Sequence, residues 1–192
     1  MQLGNTRDSY GWVAIGLHWI SALAIFGLFG LGLWMVELTY YDPWYNRGPA
    51  LHKSVGILLF GLLLGRILWR RLNPAPTPEG SPLERRTAVL AHRAMLGLLL
   101  VLMAAGYLIS TAEGRGIEVF GWFEVPAVAA GFERQEDLAG WLHRWLSYGL
   151  IALVALHAAA SLKHHFFDRD RTLRRMLRPG TSDVSSNKEL HP

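Results

Sequence analysis

The sequence contains no cysteine. That absence removes disulfides, iron–sulfur clusters, thiolate zinc sites, thiol nucleophiles and the C-x-x-C-H attachment of c-type haem. Charge is the second scarcity: Asp, Glu, Lys and Arg make up 18% of the 192 residues, against about 25% in an ordinary soluble domain. A compact water-soluble enzyme would lack polar side chains for its surface. With 51% hydrophobic and 11% aromatic residues, the chain is equally unlike a disordered one. No catalytic acid–base pair, phosphate-binding loop or nucleophile constellation is present. Any metal chemistry must rest on the eight histidines or on carboxylates.

The missing charges leave four gaps. Residues 9–36 form a run of 28 without Asp, Glu, Lys or Arg, and 94–112 and 145–162 form runs of 19 and 18. Residues 54–65 add 12 more, lengthened to about 18 because Lys53 and Arg66 can snorkel from the ends. About 20 mostly apolar residues cross a bilayer as a helix. The sequence therefore predicts an all-α integral membrane protein, a four-helix transmembrane bundle with spans near 13–36, 51–70, 90–111 and 142–164. Four buried helices of a soluble bundle would each need a polar face, which these stretches lack. The first span exceeds a secretory apolar core, carries His18 and Trp19, and has no A-x-A cleavage pattern, so it is expected to remain in the protein.

Four spans put both termini on one side. That side and the 66–93 connection carry 14 basic residues, against five on the other, so the positive-inside rule places the termini in the cytoplasm. Tyr40, Tyr41, Trp44 and Tyr45 after the first span, Trp69 in the second and Trp141 and Trp145 in the fourth mark headgroup depth. Residues 72–84 are proline-rich and expected to be extended. Segment 112–140 is expected to cap the outer side, and residues 179–192 to form a disordered cytoplasmic tail after a single 1–178 domain. The basic run 169–178 reads as a surface helix on anionic lipid, and no nucleic-acid site is expected.

Ionisable residues inside spans are functional candidates by default, and here nearly all are histidines. His143 and His157 are 14 residues apart, so they share one helix face about 21 Å apart along the axis. Chain direction supplies a partner at each depth: His18 lies at the cytoplasmic level with His157, and His52 at the outer level with His143. Two opposed imidazoles in a dry apolar bundle suit the iron of a b-type haem. Zinc is the main rival, although two histidines alone would be sparse ligation. Gly16, Ser21, Gly56, Gly149 and Ala152 are small neighbours of the kind a flat macrocycle needs, and of the kind that membrane helices use for packing. His164, about 10 Å beyond His157, reads as the cytoplasmic edge of the inner site, able to hydrogen-bond a propionate or a quinone or to donate a proton. An interfacial histidine in water is an equal reading for it. For His92 that interfacial reading is favoured, and His165 receives no role.

His18-Trp19, LHKSVG at 51–56, RILWRR with its P-A-P-T-P exit, AHR at 91–93, WLHRWL at 141–146 and LHAAASLKHHFF at 156–167 together resemble the bacterial cytochrome b561 family over about residues 9–178. The resemblance implies a four-helix cytochrome of the bacterial inner membrane with two haem b groups. By position, His18 and His157 would ligate the inner haem, and His52 and His143 the outer. It also implies electron transfer from an outer donor to ubiquinone near the cytoplasmic side. The best-understood activity of stand-alone members of the family is superoxide oxidation, which implies superoxide as that donor. Its anionic charge runs against the outer segments of this chain, where five basic residues meet eight acidic ones for a sum of −3. Two other readings stay open: an electron-transfer anchor resembling the cytochrome b subunits of hydrogenases and formate dehydrogenases, and a non-haem divalent-metal carrier.

Overall fold

The computed structural model describes residues 1–129 and 131–180. Four long helices dominate it: α1 (Trp12–Met35), α2 (Arg47–Leu72), α3 (Pro82–Thr111) and α4 (Gln135–Phe166). A short hairpin of β1 (Ile117–Val119) and β2 (Phe123–Val125) precedes α4, and a single-turn helix α5 (Thr172–Arg175) follows it. All four long helices are apolar and long enough to cross a membrane. They coincide with the four predicted spans and outrun three of them. α3 and α4 begin in polar sequence about two turns before the predicted spans, where hydrogen-bonding side chains tolerate water. The predicted tail from 179 falls, from 181 onward, outside the described residues.

Helix α1 packs chiefly along α2, and α3 along α4, with α2 and α3 joining the two pairs. Leu63, Leu99 and Leu150 meet at the centre, at 3%, 7% and 2% exposure. Large apolar side chains such as Leu23, Leu68 and Leu156 stay exposed on the outside of the bundle. In water such faces would be a liability; against lipid they are the expected surface. The chain is a multi-pass membrane protein.

Local sequence explains the helix ends. Ser81 and Glu84 form a capping box around Pro82 at the first helical position, with Ser81 N–H donating to the Glu84 carboxylate at 2.8 Å. The predicted extended segment therefore ends at 81, after Gly80 turns the chain at φ +90°. Helix α1 has no side-chain cap. Its first N–H groups are instead taken by the chain's own start, where Trp12 donates to the Gln2 carbonyl at 3.0 Å and Val13 to the Leu3 carbonyl at 3.4 Å. This hook is fastened to the proline-rich connection, because Thr77 N–H donates to the Arg7 carbonyl at 2.8 Å and Asn5 Nδ2 to the Pro74 carbonyl at 3.0 Å.

The basic run at 169–178 differs from its expected role. It contains only the one turn of α5, and Arg171 and Arg175 turn onto Glu79 at 3.1 and 2.8 Å. Arg175 also donates to the Thr77 carbonyl at 2.8 Å. A nearby carboxylate and an unsatisfied carbonyl are fixed partners, and they outcompete diffuse attraction to headgroups for these two side chains.

Segment 112–140 folds onto one end of the bundle. Phe120 and Gly121 both have positive φ, 51° and 73°, and form the hairpin turn. Val119 is fully buried. Tyr107 Oη donates to the Pro126 carbonyl and accepts from Val128 N–H, both at 2.8 Å. Buried Gln135 donates to the carbonyls of Leu108 and Ala129 at 2.9 and 3.1 Å. The bundle thus has a hairpin end and a terminal end.

Candidate functional site

At the hairpin end, α2 and α4 bring His52 and His143 together. Their ring centres are 6.1 Å apart and their planes inclined by 68°. Two imidazoles that share one metal ion at about 2.0 Å each have ring centres roughly 6 Å apart, which is the separation found. The His143 ring is oriented by a contact of its Nδ1 with the Leu102 carbonyl at 3.0 Å. A carbonyl only accepts, so Nδ1 carries the proton and Nε2 keeps a free lone pair. Buried His52 Nδ1 has no hydrogen-bond partner among the described residues. Both rings line a cavity of about 1710 Å³ reaching from mid-bundle to the hairpin. Glycines face each ring from the neighbouring helices. A Cβ at Gly106 would lie 3.1 Å from His143 Cε1, and one at Gly32 would lie 3.5 Å from His52 Cε1. These donors, two neutral nitrogens on facing helices in an apolar cavity, fit a b-type haem.

The hairpin covers this site. Ser54, two residues beyond His52, donates to the Glu118 carbonyl at 3.4 Å and accepts from Phe120 N–H at 3.2 Å. Arg47, Lys53, Arg115 and Arg144 line the same cavity alongside Glu113, Glu118 and Glu136. Its mouth therefore carries both signs of charge, and Arg115 is ion-paired with Glu113.

At the terminal end the histidines are arranged differently. His157 packs against His92 of α3, ring centres 5.0 Å apart at 64°. His18 meets Arg66 of α2, whose Nη2 lies 3.0 Å from His18 Nδ1. The level thus gathers three imidazoles and a guanidinium from four helices, with no direct ring contact between His18 and His157. Arg66 does not snorkel as the sequence reading assumed. It turns inward because an imidazole nitrogen there accepts a hydrogen bond from it, whereas apolar neighbours would not.

His164 lies between two carboxylates beyond the apolar part of α4. Its Nδ1 is 2.7 Å from Asp170 and 3.0 Å from Asp168. Lys163 bridges Asp168 and Glu84 at 2.7 and 2.8 Å. Glu84, His164 and Asp168 are spaced as metal ligands could be, but the Lys163 ammonium already occupies both carboxylates. Burial would push the Asp170 carboxyl up. Hydrogen bonds from the Thr172 backbone and side chain and from His164 outweigh it and hold the carboxyl below its ordinary range. His165 packs edge-on to Phe166, and its buried Nδ1 lacks a partner among the described residues.

The sequence reading gave Arg66 only a snorkelling role and passed over the contact of His92 with His157 and both aspartates. The D-x-D at 168–170, four and six residues after His164, was the available signal for the last. Nothing in one sequence pointed to Leu102, a main-chain acceptor.

Comparison with known proteins bears on the chemistry of these histidines. The family model for prokaryotic cytochrome b561 matches residues 9–179. "Cytochrome b561 homolog 2" of Escherichia coli (strain K12) is 49% identical over 185 residues, covering 95% of this chain and 98% of that protein. "Probable superoxide oxidase CybB" of Yersinia pestis is 30% identical over 174 residues, covering 89% and 97%. "Cytochrome b561 homolog 1" of Escherichia coli (strain K12) is 26% identical over 176 residues, covering 85% and 93%.

Proposed function

The chain belongs to the prokaryotic cytochrome b561 family, a family of membrane electron-transfer proteins that hold b-type haem, and from that premise we propose that it is a dihaem superoxide:ubiquinone oxidoreductase of the bacterial inner membrane. In this reading His52 and His143 hold the haem at the hairpin end, which faces the periplasm. His18 and His157 hold the second haem at the terminal end, which faces the cytoplasm. The observation that carries the reading is the 6.1 Å separation of His52 and His143 across an apolar cavity. The 30% identical relative named as a superoxide oxidase supports the donor.

The haems, when bound, supply one-electron redox chemistry at two depths. The protein supplies position, insulation and protons. The His143 contact to Leu102 leaves the lone pair of Nε2 for iron. Ser54 fastens the hairpin over the outer site and limits water access. The lining cations Arg47, Lys53 and Arg144, which form no ion pair among the described residues, give an anion a local path within an outer face of net negative charge. At the terminal end, Asp168 and Asp170 orient His164, which lies on the quinone side and can pass a proton. The reaction balances as two superoxide anions and two protons plus one ubiquinone, giving two dioxygen molecules and one ubiquinol.

The test is an absorption and electron-paramagnetic-resonance titration of the purified chain, followed by superoxide-driven reduction of a short-chain quinone. Two bis-histidine low-spin centres and superoxide-dependent ubiquinol formation are expected. Haem reduction by superoxide no faster than in a His143→Ala chain would remove superoxide as donor. Co-purification with a large outer redox subunit would instead favour an anchor role.

A further inference from the structure

A contact at the terminal end must break before His18 can hold a metal ion. Arginine only donates hydrogen bonds, so the 3.0 Å contact from Arg66 Nη2 makes His18 Nδ1 the acceptor and leaves the ring proton on Nε2. A neutral imidazole that gives Nε2 to a metal carries its proton on Nδ1, where it would face the guanidinium donors. Ligation through Nδ1 would displace Arg66 directly. Either way, seating a metal on His18 frees a guanidinium that lies inside an apolar helix and forms no ion pair among the described residues. A desolvated cation requires a charged acceptor. Trp69 follows Arg66 by one turn of α2, so both project from one face. Its indole N–H is buried and has no acceptor among the described residues.

We propose that Arg66 and Trp69 form a carboxylate cradle for the inner cofactor, in which Arg66 holds His18 Nδ1 until loading and then transfers to a haem carboxylate, with the Trp69 indole N–H as a second donor. The proposal rests on the inner site being a haem site. It makes Arg66 and Trp69 positioning residues that select a macrocycle with free carboxylates. A phosphate headgroup of an anionic lipid is the other source of a charged acceptor, and the test separates the two.

Full-length chains carrying His143→Ala, so that only the inner site titrates, are produced without haem in phosphatidylcholine nanodiscs. They are titrated with haem and with haem dimethyl ester, following the Soret band. With Arg66 intact, haem is expected to bind roughly 10-fold or more tightly than the ester, the worth of a charge-assisted hydrogen bond. Arg66→Gln should remove that preference, by weakening haem binding and by sparing the ester the cost of a freed guanidinium, and Arg66→Lys should restore part of it. Trp69→Phe should reduce the preference by a smaller factor, independently of how Arg66→Gln folds. The inner haem should also have a lower midpoint potential in Arg66→Gln, since a nearby cation favours the reduced state. Equal binding of haem and ester by the chain with Arg66 would overturn the proposal. So would an Arg66→Gln loss that is the same for both ligands, or one that depends on added anionic lipid rather than on esterification. A His143→Ala chain that binds no haem would overturn the two-haem reading itself, an outcome distinct from these.

Discussion

Ser54 on α2 accepts a hydrogen bond from the main-chain N–H of Phe120 at 3.2 Å, and so ties the hairpin turn to the helix that carries His52. Phe120 needs such an anchor, because an aromatic residue at φ 51° occupies a backbone region that costs non-glycine residues energy. Ser54→Ala should cost about 1 kcal/mol and loosen the hairpin while leaving the helices intact. Hydrogen exchange should accelerate in residues 117–125 and stay unchanged in 94–111. Uniform acceleration across both would show that Ser54 supports the bundle as a whole.

Gly106 and Gly16 offer a matched pair. A Cβ on Gly106 would press on the His143 ring at 3.1 Å, whereas one on Gly16 meets nothing within 4 Å. Gly106→Ala should destabilise by about 1–3 kcal/mol through overpacking and shift the resonance signature of the outer haem. Gly16→Ala should leave that signature unchanged. Identical spectra from both variants would mean that the α3 backbone does not fix the ring.

Three imidazoles at the terminal end make the ligand pair a question for experiment. On the proposed two-haem reading, His18→Ala and His157→Ala should each lower haem content from two per chain to one, whereas His92→Ala should keep two and alter only the potential of the inner centre. A pyridine haemochrome assay decides this. Loss of haem in His92→Ala with retention in His18→Ala would reassign the ligand to α3.

Much of this arrangement was readable beforehand, and what escaped did so for physical reasons. The charge gaps located four helices because a bilayer demands uninterrupted apolar length. Helical phase put His143 and His157 on one face of α4 because a long helix keeps its period. The hairpin was not readable, since two three-residue strands give too few alternations to stand out. Arg66 was misread because a cation one turn from the end of an apolar run looks the same whether it reaches water or turns inward. The capping box at Ser81 and Glu84 was legible as S-x-x-E before an apolar run, and would have placed the start of α3 at 82.

Asp170 sets a pH limit on the terminal end. Its carboxyl lies below the ordinary range in the folded chain, so its contribution is complete above the unfolded value of about 3.9. That contribution is lost as pH falls through the lower folded value. Protection of residues 164–172 from hydrogen exchange should hold from pH 7 to about 4 and disappear in stronger acid. Asp170→Asn should reduce the protection at pH 7. Protection already lost at pH 6 would mean that Asp170 does not govern the clasp.

The ties at the terminal end make the chain two interlocked halves. Helices α1 and α2 form one antiparallel arm and α3 and α4 the other, with residues 73–81 as the bridge between them. Arg175 reaches across to the Thr77 carbonyl at 2.8 Å, and the Trp19 indole to the Met176 carbonyl at 2.6 Å. A cut in the bridge at residue 78 would therefore leave contacts that staple one arm to the other from both directions.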